Sequence, residues 1–319
     1  MLSRRLIRIK VMQALYAFAQ NDDNELSAME KNLIKNIDRV YELYIWQLSF
    51  LVELIEYFRF RMDEARQKFL PTQEELHPST RFVDNRLIQQ LQENEDYNQY
   101  HSRYKINWAG EQEMFRSFYN EIRSSEEYIS YMNAEKNYYE DDKNILIKLI
   151  RAHLLPSETL EIFFEEKNIH WADDYSNTLL MVMRTLKSFA AKQDASTKLP
   201  TLFEDEETEI EDKAFASDLF AKSILYSDEY SAIIALKAKN WELDRIAMLD
   251  IIIMKMAIVE LLQFPSVPVK VTLNEYIEIS KQYSTPKSKI FINGLLDKLI
   301  VEFREEDKIK KTGRGLIDN

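Results

Sequence analysis

From Leu26 to Phe69 no glycine or proline interrupts the chain, and apolar residues return at Leu33, Ile37, Val40, Leu43, Tyr44, Leu48, Leu51, Leu54, Ile55 and Phe58. That spacing keeps one face apolar, so the segment reads as a single long amphipathic helix that ends before Pro71. The same shortage of breakers holds throughout. Only 4 glycines and 7 prolines occur among 319 residues, too few for the turn chemistry of β-hairpins or dinucleotide folds. The chain is predicted to be all-α, with enough apolar residues, 45%, for one large or two ordinary domains.

Residues 2 to 20 read as a first amphipathic helix on Ile7, Val11, Ala14, Leu15 and Phe18, ended by Asn21-Asp22-Asp23. Residues 72 to 140 read as helical, with breaks at His77-Pro78 and Trp108-Ala109-Gly110. Residues 142 to 185 align without gaps onto 212 to 255, pairing Asp142 with Asp212, Leu149 with Leu219, Ser157 with Ser227, Trp171 with Trp241 and Asp174 with Asp244. Two convergent helical hairpins explain this as well as a duplicated helical unit does. Between the copies, Asp194 to Asp212 holds Pro200 and a run of acids, as a solvated linker would. Further helices are predicted over 212 to 226, 228 to 239, 243 to 263, 272 to 283 and 287 to 304, with Pro265, Pro268 and Pro286 between elements. The expected division is 1–70 for N-terminal helices, 71–200 for a helical insertion, 201–211 for an acidic linker, 212–304 for a C-terminal helical domain and 305–319 for a flexible tail.

Several functional classes find no support. The opening MLSRRLIRIK lacks the apolar run of a signal peptide and no window is apolar enough to span a bilayer, so a cytoplasmic protein without a membrane partner is expected. With no cysteine, thiolate catalysis and cysteine-held metals are excluded, and His77, His101, His153 and His170 show no metal spacing. No GxGxxG, GxxxxGK or HExxH pattern occurs, and the carboxylate pairs on helices, such as Glu165-Glu166, suit solvated faces better than acid/base chemistry. A non-enzymatic protein with no cofactor is expected.

The net charge of -12 argues against indiscriminate nucleic-acid binding. Its distribution argues for a directed kind. Arg4, Arg5, Arg8 and Lys10 stand near the start without an acid, and Lys281, Lys287, Lys289 and Lys298 near the end face only Asp297. In the last long helix Ile292, Leu295, Leu296, Leu299, Ile300 and Phe303 already complete a core stripe. Lys287, Phe291, Gly294 and Lys298 then form a second stripe pointing elsewhere, an aromatic ring between two cations over a residue that permits close approach. Packing of Phe291 against a neighbouring helix is the commoner fate of such a ring. On the first helix Arg5 and Tyr16 share an azimuth, flanked by Arg4, Arg8 and Gln13. A short basic start that solvates a helix end competes with a nucleic-acid surface there, although cations at a helix N-terminus oppose its dipole.

Arg4-Arg5 followed by Val11-Met12-Gln13-Ala14-Leu15-Tyr16 resembles the opening of the NusB family. So do Asp244-Arg245, Asp250, Glu260-Leu261-Leu262, Val267-Pro268-Val269-Lys270-Val271, Asn274-Glu275 and Phe291-Ile292-Asn293-Gly294-Leu295-Leu296-Asp297-Lys298, in order and spacing. The resemblance covers roughly residues 1 to 20 and 212 to 304. It implies an all-helical fold of two small bundles, here with an additional helical insertion, and binding of single-stranded boxA-like RNA in ribosomal RNA transcripts. The implied partners are ribosomal protein NusE and the antitermination complex on RNA polymerase. The implied RNA contacts are Arg4, Arg5, Tyr16, Asp250, Lys287 and Phe291, to which the basic surfaces add Arg8 and Lys298. Ser284 and Lys289 stand where the family usually has glycine, Ile290 replaces a common basic residue, and residues 22 to 210 far exceed the usual connection. A helical scaffold without RNA binding is an alternative, and an RNA-modification-associated protein a weaker one, since cytosine methylation needs a cysteine nucleophile.

Overall fold

The computed structural model describes residues 2–20, 25–238 and 246–316. Among them there is no strand. The helices are α1 (Arg4–Gln20), α2 (Leu26–Arg66), α3 (Gln73–Leu76), α4 (Arg86–Glu93), α5 (Glu95–Arg103), α6 (Gln112–Arg123), α7 (Glu126–Asn133), α8 (Tyr139–Leu149), α9 (Glu158–Lys167) and α10 (Tyr175–Ser188). They continue as α11 (Glu206–Leu225), α12 (Ser227–Lys237), α13 (Met248–Gln263), α14 (Val269–Tyr283) and α15 (Pro286–Glu305). The all-α expectation holds. No described helix is long and apolar enough to cross a membrane.

The chain divides into two compact units: Asp38–Leu202, and Leu2–Ile37 with Phe203–Asn319. The first boundary therefore falls inside α2, after Ile37, and not at residue 70. In the 38–202 unit the core is aromatic. Trp46, Phe50, Phe58, Phe82, Trp108, Phe115, Phe118, Phe164 and Trp171 are all buried, with Phe50 and Phe115 stacked at 5.2 Å and Trp46 edge-on to Trp108 at 4.9 Å. Indole N–H groups need acceptors when buried. Trp108 Nε1 donates to Ser49 Oγ at 2.9 Å, and Trp171 Nε1 to the Arg39 carbonyl at 3.1 Å. The polar stretch 72 to 140 resolves into short helices, started by side-chain caps on Thr72, Asn85, Asn94 and Ser125.

The other unit is built around α13, which packs against α1, α11, α12, α14 and α15. Ile252, Ile253, Met254, Met256, Ala257, Ile258, Val259 and Leu261 are all buried, as a helix apolar on every side requires. The acidic run expected as a linker forms the first turns of α11 from Glu206. Asp205 Oδ1 caps it by accepting from Thr208 N at 2.7 Å, and Glu206, Glu207 and Glu209 complement the positive end of the helix dipole. Residues past 305 are tied down as far as 316. Lys311 Nζ donates to the Phe264 carbonyl at 2.9 Å, Thr312 N donates to the Pro265 carbonyl at 3.0 Å, and Gly315 lies so close to that carbonyl that a Cβ would stand 2.0 Å from its oxygen.

The two sequence copies share a local arrangement. Arg86 Nε donates to the buried Asp142 at 2.6 Å, and Arg4 Nε donates to the buried Asp212 at 2.8 Å. Trp241, Asp244 and Arg245, the start of the helix predicted from 243, and Asn21-Asp22-Asp23 lie outside the described residues.

Candidate nucleic-acid interface

α15 starts where Thr285 Oγ1 accepts from Ser288 N at 3.1 Å, with Pro286 in the first turn. Ile292, Leu295, Leu296, Leu299, Ile300 and Phe303 are buried, and this fixes the rotation of the helix. Lys287, Phe291, Gly294 and Lys298 line an open cleft of about 340 Å³, joined by Ile290 and by Lys237 of α12. Lys287 and Lys298 are exposed, Phe291 is half-buried and Ile290 is 73% exposed. Lys237 also forms an ion pair with Glu302. Sequence reasoning missed Lys237, since nothing in α12 signals that it reaches α15, and it treated Ile290 only as a departure from a basic position.

The arginines of α1 are differently placed. Arg4 bonds Asp212 of α11 and lies 5.3 Å from the Phe215 ring. Arg5 makes a bidentate pair with Glu275 of α14, at 2.9 and 2.8 Å, and this hydrogen-bonded carboxylate raises its pKa. Both keep exposed side-chain surface, 41% and 45%. Tyr16 is 42% exposed.

Arg8 was expected at the RNA surface, and its position is corrected: it is 2% exposed. Its Nε and Nη2 donate to Glu260 at 2.8 and 2.7 Å, and Glu260 also accepts from Thr272 Oγ1 at 2.9 Å and Tyr276 Oη at 3.1 Å. A fully buried carboxylate needs such a saturated set. Asp250 is corrected likewise. It is 2% exposed and accepts from Ser284 Oγ, so it holds the turn leading into Thr285 and cannot present its carboxylate to a base in solution.

α1 and α15 both pack against α13 and α14. Glu278 of α14 feels both. Its carboxyl is held below its usual range, first by a hydrogen bond from Lys281, then by the charges of Lys281, Arg5 and Lys289.

The NusB family model matches residues 176–301, a span that begins in α10 and so starts upstream of the resemblance from residue 212. The chain is 42% identical over 142 residues to the transcription antitermination protein NusB of Salinibacter ruber, covering 43% of this chain and 86% of that protein. It belongs to the NusB family. The NusB proteins of Chloroherpeton thalassium (36% over 140 residues; 43% of this chain, 66% of that one) and Dictyoglomus turgidum (37% over 106 residues; 33% and 72%) are also similar. No solved structure matches. Most of the chain lies outside these alignments, so this NusB-family chain carries a large helical body beyond the shared part.

Proposed function

We propose that this chain is a transcription antitermination factor that binds single-stranded, boxA-like RNA together with ribosomal protein NusE, within the antitermination complex on RNA polymerase. The observation that carries the reading is the α15 cleft, where the half-buried Phe291 ring lies between Lys287 and Lys298 beside the open backbone of Gly294. Single strands are bound by a base stacked on an aromatic ring and cations on the adjoining phosphates. Lys237, Tyr16 and the exposed edges of Arg4 and Arg5 extend that role, while Arg8 and Asp250 support it from the interior.

Fluorescence anisotropy with a boxA-like oligonucleotide tests the proposal. Phe291→Ala is expected to cost about 1–3 kcal/mol of affinity; unchanged affinity in the folded variant rules out stacking there. A scaffold that keeps its protein partner without RNA is the second reading, favoured by the pairing of Arg4 and Arg5 with acids. It is distinguished by a NusE complex that forms while the oligonucleotide fails to bind.

A further inference from the structure

A second cleft in the same unit, of about 170 Å³, opens between α1, α11, α12 and α13. Leu15, Phe18 and Ile252 give it an apolar wall, and Ser223, Ser227 and Lys255 contribute its polar groups. Cavities of roughly this size, about 150 Å³, hold a molecule as large as benzene when their walls are apolar.

The polar groups are incompletely used. Ser223 is 4% exposed, and its Oγ makes no hydrogen bond among the described residues. Lys255 is half-buried and donates to Ser227 Oγ at 2.7 Å, which occupies one of the three donors of an ammonium group. Burial pushes the Lys255 pKa down, with the charge of Asp228 opposing. The aligned segment 142–185 offers a comparison at the same position. Thr185 stands where Lys255 does, and it is buried with its hydroxyl hydrogen-bonded to Tyr44 at 2.8 Å and donating to the Met181 carbonyl at 3.1 Å. That copy closes the position with neutral partners from the chain itself. The second copy puts a cation there and leaves a cleft beside it.

We propose that this cleft is a binding site for an aliphatic carboxylate, with Lys255 and Ser223 holding the head group and Leu15, Phe18 and Ile252 holding the hydrocarbon. One ammonium and one hydroxyl donor match a single negative charge with two acceptor oxygens. The apolar wall selects a hydrocarbon chain over a phosphate or sulfate, whose further charge would lose its hydration without replacement. The acid is either free or the side chain of a partner's glutamate.

Methyl NMR of the full chain, following Leu15, Ile224 and Ile252, separates these. Hexanoate, its neutral isostere hexanamide, and a blocked Leu-Glu dipeptide are titrated in turn. Saturable shifts at these methyls are expected with a carboxylate and not with hexanamide. Tighter binding of hexanoate assigns a free acid, and tighter binding of the dipeptide a partner's side chain. Lys255→Met is expected to weaken binding by about tenfold or more, as loss of a charge-assisted bond should. Ser223→Val, which keeps the cation and places a methyl in the cleft, should also abolish saturation. The proposal is overturned if neither carboxylate saturates by about 10 mM, a tenfold weaker affinity than a millimolar site, or if hexanamide or the folded Lys255→Met variant binds equally.

Discussion

The basic residues of α1 and those of α15 look alike in sequence and meet opposite fates in the fold. Each arginine of α1 reaches a carboxylate on another helix: Arg4 to Asp212, Arg5 to Glu275 and Arg8 to Glu260. Among the described residues, Lys287 and Lys298 make no ion pair, and both line an open cleft. The difference follows from the two side chains. A guanidinium is a planar fork that pairs bidentately with a carboxylate and tolerates burial over aromatic rings, whereas an ammonium is a strongly hydrated point charge. Arg8 shows the first behaviour in full, 5.2 Å from the Phe215 ring and locked to Glu260. A basic stretch thus has two readings, as a clasp between helices or as an anion surface; the arginines of α1 take the first, and residue type alone does not decide, since Lys10 of α1 is buried as well.

The largest expected effect breaks or upholds that division. Arg8→Met leaves Glu260 charged in the core without its counter-ion, and removal of one partner from such a pair costs about 3–5 kcal/mol. Urea unfolding should show this loss, whereas Lys287→Met on the open face should stay within about 0.5 kcal/mol of the parent. Equal losses would show that α15 also uses its lysines to hold the fold.

The second test moves from stability to salt dependence. Each phosphate contact removed from a single strand lowers the log-log slope of affinity against salt by roughly 0.7. Lys287→Gln with Lys298→Gln should therefore flatten the slope by about 1.4 if both lysines grip phosphates. Arg4→Gln with Arg5→Gln should change it less, because those arginines must first leave Asp212 and Glu275. Equal flattening by the two pairs would show that the α1 clasps open when RNA arrives.

The sequence made legible whatever depended on apolar period. The core stripe of α15 was read residue by residue, and its spare face gave Lys287, Phe291, Gly294 and Lys298, which line one cleft. It misled where a polar residue had a purpose other than solvation. Glu206, Glu207 and Glu209 suggested a linker, yet acids in a first turn are what a helix start favours. Asn85 and Asn94, within a stretch read only as helical, are buried caps that start separate helices. Arg8, expected on the basic surface, and Asp250, implied as an RNA contact by the resemblance, are both buried, because burial of an ion depends on partners far away in sequence, here Glu260 and Ser284. Lys237 went unseen for the same reason.

The smallest expected effect is the most discriminating, because its two readouts should move in opposite directions. Gly294 is helical, and a Cβ built on it meets nothing within 4 Å. Gly294→Ala should therefore stabilise α15, by about 0.5–1 kcal/mol on helix propensity alone. If a base stacked on Phe291 approaches the backbone at this position, the added methyl occupies space needed by the ligand and affinity falls while the melting temperature rises. A variant that gains stability and keeps its full RNA affinity would place the bound strand away from Gly294, toward the exposed side of Ile290 and Lys287.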